Sequence, residues 1–272
     1  LPLWLSTPDI PELLASDEEY FFLAGKLITQ GMVDATGCPD GGLLPNGYAN
    51  ACGLERGRDK VEAWQNQFDA RIIEVAKETG VPAQLMKNLF AQESQFWPGI
   101  SSAEHLGLGH ITENGADALL LWNPSFYDQF CPLVLEESSC EAGYLQLEED
   151  QKTILRGALA SQAKTDCPEC PAGIDLTNAN QSIRMFANTL LADCEQVAQI
   201  VYNATGEMPG VVSNYEDLWR FTLANYHAGP GCLSYAVFSA ADAGDSVDWE
   251  SITPFFTPVC QGVVDYVSLI AR

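Results

Sequence analysis

The chain has 272 residues, 47% of them hydrophobic, enough for one large domain or one domain with an appendage. Thirty-seven acidic against thirteen basic residues give a formal charge of −24, which repels the phosphates of nucleic acids and anionic lipids, so neither is an expected partner. No run of about 18 apolar residues occurs, so no membrane span is expected.

Residues 1–58 differ in texture from the remainder and read as an N-terminal extension, a helix plus a cysteine-pinned loop. Leu1 to Leu5 is apolar around Pro2, and Ile10 to Leu27 has the composition of a helix. Asp34 to Gly53 is dense in Gly, Pro, Asn and Cys, the mark of an ordered loop held by Cys38 and Cys52. From Asp59 the pattern turns helical: Val61, Trp64, Phe68, Ile72 and Val75 recur at three- and four-residue steps until Gly80 and Pro82 break the run.

Val81 to Phe96 predicts the next helix, with Pro82 suited to its first position. Leu85, Leu89 and Glu93 fall at i, i+4 and i+8 on one face, which Met86 and Phe90 widen. Glu93 then has two readings. It is the solvent-facing edge of an apolar stripe, or a carboxyl where a hydrophobic wall meets a cleft, its pKa raised enough to donate a proton near neutrality.

Thr112 is a suitable N-cap for a helix over Glu113 to Trp122, with Ala116, Leu119, Leu120 and Trp122 apolar. The stretch 126–175 carries four cysteines and several acidic residues, and predicts loops with a helix near Gln151 to Ala163. A helix from about Ala179 to Val201 turns Ile183, Phe186, Ala187, Leu190, Leu191 and Cys194 inward. Tyr215 to Tyr226 puts Tyr215, Trp219, Leu223 and Tyr226 on a common stripe and ends at Gly229-Pro230. Strand-like alternation is scarce, so the fold class is mainly α.

Nine cysteines suggest an oxidising compartment. Cys38 with Cys52 and Cys131 with Cys140 read as loops closed by disulfides. Cys167-Pro168-Glu169-Cys170 admits a local disulfide, bridges to distant cysteines, or half of a zinc site; without a second CxxC, no metal or other cofactor is expected. An odd count leaves at least one thiol unpaired or bridged to another chain.

Four blocks then carry a resemblance. They are Glu93-Ser94-Gln95-Phe96-Trp97-Pro98; Ser101 with Gly107-Leu108-Gly109-His110-Ile111; Ser182-Ile183-Arg184; and Leu223 to Gly231, which reads Leu-Ala-Asn-Tyr-His-Ala-Gly-Pro-Gly. In this order they resemble the catalytic domain of the soluble lytic transglycosylases, which shares its lysozyme-like fold with the goose-type lysozymes. The match covers about residues 70–240. It implies a lysozyme-like helical domain over 59–272, interrupted by a disulfide-stapled insertion at about 126–175.

The resemblance also implies a chemistry. Glu93 would be the single catalytic acid and base, protonating the glycosidic oxygen of a β-1,4-linked N-acetylhexosamine polymer and then deprotonating the C6 hydroxyl to close a 1,6-anhydro ring. The substrate's own N-acetyl group would stabilise the cationic sugar. Tyr226 would orient Glu93, while Ser94 and Ser101 would tune the carboxylate or hold the sugar. The close glycine turn at Gly107 and Gly109 would let backbone amides reach the glycan, and Leu108, His110, Ile111 and His227 fall in the same substrate-binding set. Aromatic residues Trp122, Phe126, Tyr127 and Tyr144 would either line the glycan cleft or pack as core.

The chain departs from the family pattern at three places. His110 stands for a glutamine, His227 for an asparagine and Glu104 for a glycine, so all three histidines (His105, His110, His227) fall inside the motif blocks. The imidazoles admit neutral hydrogen bonding, a pH-sensitive site or a metal site. Glu104 admits a second carboxylate, hence hydrolysis. Three functions follow: an exported lytic transglycosylase acting on peptidoglycan, its signal peptide already removed; a lysozyme- or chitinase-like hydrolase of a chitin-like polymer; or a non-catalytic glycan-binding envelope protein. The sequence does not disclose an oligomeric state.

Overall fold

The computed structural model describes residues 1–99 and 106–272. The chain is mainly α-helical; among the described residues strand pairing is limited to isolated bridges at Leu43–Ala49, Leu106–Ile111 and Asp166–Ile174. It divides into two compact units, one comprising 6–112 and 160–186, the other 1–5, 113–159 and 187–272.

The first unit holds α1 (Phe21–Thr29), α2 (Ala51–Asn66), α3 (Asp69–Thr79) and α4 (Ala83–Ser94). The helix expected from Ile10 begins only at Phe21. Before it come a 3-10 turn at Pro11–Leu13 and Tyr20 in a left-handed conformation, φ 53°. The second and third amides of α1, those of Phe22 and Leu23, both donate to Gln95 Oε1, at 2.9 and 3.1 Å. The start is therefore set by a capping group 73 residues away, which local composition does not reveal.

The helical pattern expected from Asp59 starts earlier, at Ala51, where the Asn50 side chain accepts from Gly53 N. It is split between α2 and α3, so Val61 and Trp64 lie on one helix and Ile72 and Val75 on the next. Gly53 allows the Pro39–Gly42 turn to press against α2: a Cβ there would overlap the Gly42 carbonyl. The expected Cys38–Cys52 disulfide fastens the same contact. Gly80, left-handed at φ 79°, ends α3, and Pro82 stands just before α4 rather than in its first turn. Leu23, Leu27, Phe68, Ile72, Leu85 and Phe90 are fully buried and form the centre of this unit.

The second unit draws on α5 (Glu113–Trp122), α6 (Pro124–Phe130), α7 (Glu137–Cys140) and α8 (Glu149–Ala163), then α9 (Leu176–Thr205), α10 (Pro209–Val212), α11 (Tyr215–Ala228), α12 (Pro230–Ala243), α13 (Trp249–Ile252) and α14 (Gly262–Ile270). α11 packs on α12 and α14, with Phe221, Leu223, Leu233 and Val267 at the centre. Tyr127 and Tyr144 are buried and meet edge to face at 6.1 Å, so both are core residues, not a wall for sugars. Arg156 joins Glu113, Asp117 and Glu149 in one ion-pair cluster.

The expected Cys131–Cys140 pair is present. Cys167–Cys170 is a local disulfide, which removes its sulfurs as metal ligands. Cys232–Cys260, which spacing did not single out, is the fourth disulfide, and Cys194 is the free thiol. No described helix is long and apolar enough to cross a membrane.

Candidate active site

α4 carries Glu93 one residue before its end, and its C-terminus is rigidly built. Gln95 and Phe96 both adopt left-handed backbone, φ 48° and 58°, which turns the chain sharply without glycine. Side chains on three sides compensate that cost. Phe96 is fully buried, stacks on Phe68 and meets Phe90 edge-on. Trp64 Nε1 donates to the Phe96 carbonyl at 2.8 Å. Thr165 Oγ1 donates to the Pro98 carbonyl at 2.6 Å.

The 106–111 turn lies against this helix end. Leu106 and Ile111 bridge, and Gly107 at φ 75° has the Ala163 carbonyl where a Cβ would come within 3.1 Å. Ser94 Oγ donates to the Leu108 carbonyl at 2.7 Å. His110, also left-handed at φ 52°, brings Nδ1 to 3.3 Å from Glu93 Oε2. Both side chains keep a window to solvent, 15% exposed for Glu93 and 16% for His110. The result is a carboxylate and an imidazole side by side, both partly exposed, at the end of a helix whose Leu89 and Phe90 are fully buried. The pair is charged on both sides only when His110 is protonated.

Glu93, Ser94, Gly107, Leu108, His110 and Ile111 are thus neighbours within one unit. Ser94 is buried, and its hydroxyl is committed to the turn, so it positions the loop rather than holding a sugar. The Leu108 and Ile111 side chains are buried. The amides of His110 and Ile111 are used inside the turn, bonding to Gly107 O and Leu106 O, which leaves neither for a glycan. Ser101, Glu104 and His105 lie outside the described residues. Tyr226 and His227 are on α11, in the other unit. Tyr226 is half-buried, and His227 is exposed with its ring stacked on Tyr266 at 3.9 Å.

Two residues central to this architecture escaped the sequence reading. Gln95 caps α1 through Oε1 while its Nε2 donates to Glu18 Oε1 at 3.3 Å. Lys87, fully buried in the middle of α4, pairs with Asp69 at 2.5 Å, also reaches Asn66 Oδ1, and sits 5.0 Å over the Phe96 ring. Burial pushes the Asp69 carboxyl up to about 6, with Lys87 pulling it back; burial lowers the Lys87 ammonium, opposed by Asp69. The signal was a lysine flanked by Met86 and Asn88 within an apolar helix, a place where a charge needs a partner.

Among the described residues no group of three or more His, Cys, Asp or Glu side chains is arranged to hold a metal ion. Neither the protein-family models nor the curated protein sequences compared with the chain gave a match.

Proposed function

We propose that this protein cleaves β-1,4-linked N-acetylhexosamine strands, with Glu93 as the single acid and base. One observation carries the reading: the Glu93 carboxylate sits at the partly exposed end of a buried apolar helix, 3.3 Å from His110 Nδ1. A partly exposed carboxyl beside a second proton-carrying side chain is placed to meet a substrate oxygen and exchange a proton with it.

In the first step protonated Glu93 gives its proton to the glycosidic oxygen, the bond to the anomeric carbon breaks, and the leaving chain departs with a new hydroxyl. The substrate acetamide supports the positive sugar. In the second step ionised Glu93 takes the C6 hydroxyl proton as that oxygen bonds to the anomeric carbon, giving a 1,6-anhydro end and restoring the acid. No water is consumed. Attack by water in place of the C6 oxygen makes the same site a hydrolase.

Peptidoglycan is the first substrate to test. The charge of −24 favours a second reading, a neutral N-acetylglucosamine polymer, because an acidic enzyme repels polyanionic walls. An exported setting fits the four disulfides. The test is mass spectrometry of products from peptidoglycan and chitin oligomers, with the parent and Glu93→Gln. Anhydro ends from the parent and none from the variant support the lyase, and reducing ends support the hydrolase. Glycan binding without cleavage by the parent would leave only a binding module.

A further inference from the structure

The four disulfides differ in how open they are to an attacking thiol. Cys38, Cys131, Cys140 and Cys260 are buried, so three of the bridges have at least one buried partner, whereas Cys167 and Cys170 are both half-buried. Thiol exchange needs a sulfur that a thiolate can reach. This bridge also has a sequence separation of only 3, so it constrains the unfolded chain least and its loss leaves the rest of the fold standing. The consequences of opening it are local. It closes the 165–175 loop, where Asp166 bridges to Ile174, Cys167 N donates to the Gly173 carbonyl at 3.0 Å and Asp175 N donates to the Thr165 carbonyl at 2.8 Å. Ala172 is left-handed at φ 58°, a conformation that a residue with a Cβ holds at a cost and relaxes from when its loop opens.

That loop braces the chain that leaves the Glu93 helix, within the same unit. Thr165 Oγ1 holds the Pro98 carbonyl, and Ile174 is buried with its Cδ1 so near Gly99 that a Cβ there would come within 3.1 Å. Trp97, between Phe96 and Pro98, stacks on Trp64 at 5.4 Å. We propose that Cys167–Cys170 is a site of reversible exchange with a dithiol, and that its opening loosens the Trp97 to Gly99 segment. A thiolate of the dithiol attacks one cysteine sulfur, the Cys167–Cys170 bond breaks, and the other cysteine leaves as a thiolate that takes up a proton. The second dithiol sulfur, giving up its proton, then displaces the first cysteine, which is protonated in turn. Two electrons and two protons thus pass from the dithiol to the protein, and the reagent departs as its own disulfide. This exchange is independent of the glycan-cleaving reading and survives its failure.

Dithiothreitol under native conditions, followed by alkylation and peptide mapping, provides the test. Unreduced protein is the blank for Cys194, a thiol that burial pushes up to about 12. Cys167 and Cys170 are expected to be labelled together, at a dithiothreitol concentration about tenfold below that needed for the other three pairs. At that concentration the amides of Cys167, Gly173 and Asp175 should exchange hydrogen about tenfold faster, while those of α12 keep their rates. The near-ultraviolet circular dichroism of the Trp64–Trp97 pair should change, and both signals should return on reoxidation with oxidised glutathione. Cys167→Ala combined with Cys170→Ala should match the reduced parent and no longer respond to the reagent. Another bridge opening first, or alongside this one, would overturn the proposal. So would selective reduction that leaves the exchange rates and the tryptophan signal unchanged. The labelling order in the parent decides the matter even where the double variant folds poorly.

Discussion

Glu93 faces an imidazole where the resembled family has an amide, and the two partners respond differently to pH. A protonated His110 beside Glu93 favours the ionised carboxylate, which opposes proton donation to a leaving group. Glutamine hydrogen-bonds without changing charge. His110→Gln is therefore expected to change the shape of the rate–pH curve, retaining more of its maximal rate than the parent on the acid side. Rate–pH curves for both on the same oligomer decide it, and superimposable curves would remove the histidine from the titration. At this scale Glu93 was legible because helical spacing alone places it at the end of an apolar face. The tether role of Ser94 and the capping role of Gln95 were not. Both depend on left-handed backbone at Gln95, Phe96 and His110, and none of these is a glycine that would have marked the turn.

Two buried carboxyls hold helices together, and each predicts a stability effect with a sign. On α4, Lys87→Met strands Asp69 as an unpaired buried charge, and breaking such a pair typically costs about 3–5 kcal/mol. The deficit should be largest at neutral pH and shrink near pH 5, where a carboxyl already pushed to about 6 is protonated and has no charge to strand. Urea unfolding at the two pH values reads this directly. Between α9 and α11, Asn225 Nδ2 donates to Asp193 Oδ1 at 2.6 Å and to Gln196 Oε1 at 2.8 Å. Burial pushes Asp193 up to about 8, with Asn225 pulling it back. The folded chain thus keeps a proton that the unfolded chain releases above about 3.9. The contribution is intact below that value and lost as pH rises, until the folded group also ionises. Asp193→Asn should consequently gain on the parent by up to about 1.4 kcal/mol per pH unit between pH 4 and 8. A constant difference across that range would refute the assignment. Element identity was the most legible part of the chain, and α5 falls where its apolar spacing put it. The start of α1 and the break between α2 and α3 were not legible, because a distant glutamine and the packing of Phe68 decide them.

Across the whole molecule, disulfides and charge pull on different things. Cys38–Cys52 and Cys131–Cys140 were readable because each pair brackets a short segment, the first rich in Gly, Pro and Asn and the second acidic. Cys232–Cys260 spans 28 residues and two further helical segments, so only the fold reveals it. The charge of −24 needs no fold to be read, and it bears on which strand the proposed enzyme meets. Repulsion between an acidic protein and an anionic wall polymer is long-ranged at low salt and screened within about 8–10 Å at physiological ionic strength. A neutral N-acetylglucosamine oligomer feels none of it. Binding of Glu93→Gln to purified walls is therefore expected to strengthen as salt rises from about 0.02 to 0.3 M, while its binding to chitin oligomers stays level. Using the inactive variant separates attraction from turnover. Wall affinity that weakens with added salt would mean that local positive groups outweigh the global charge, and the case for a neutral substrate would lose its only electrostatic support.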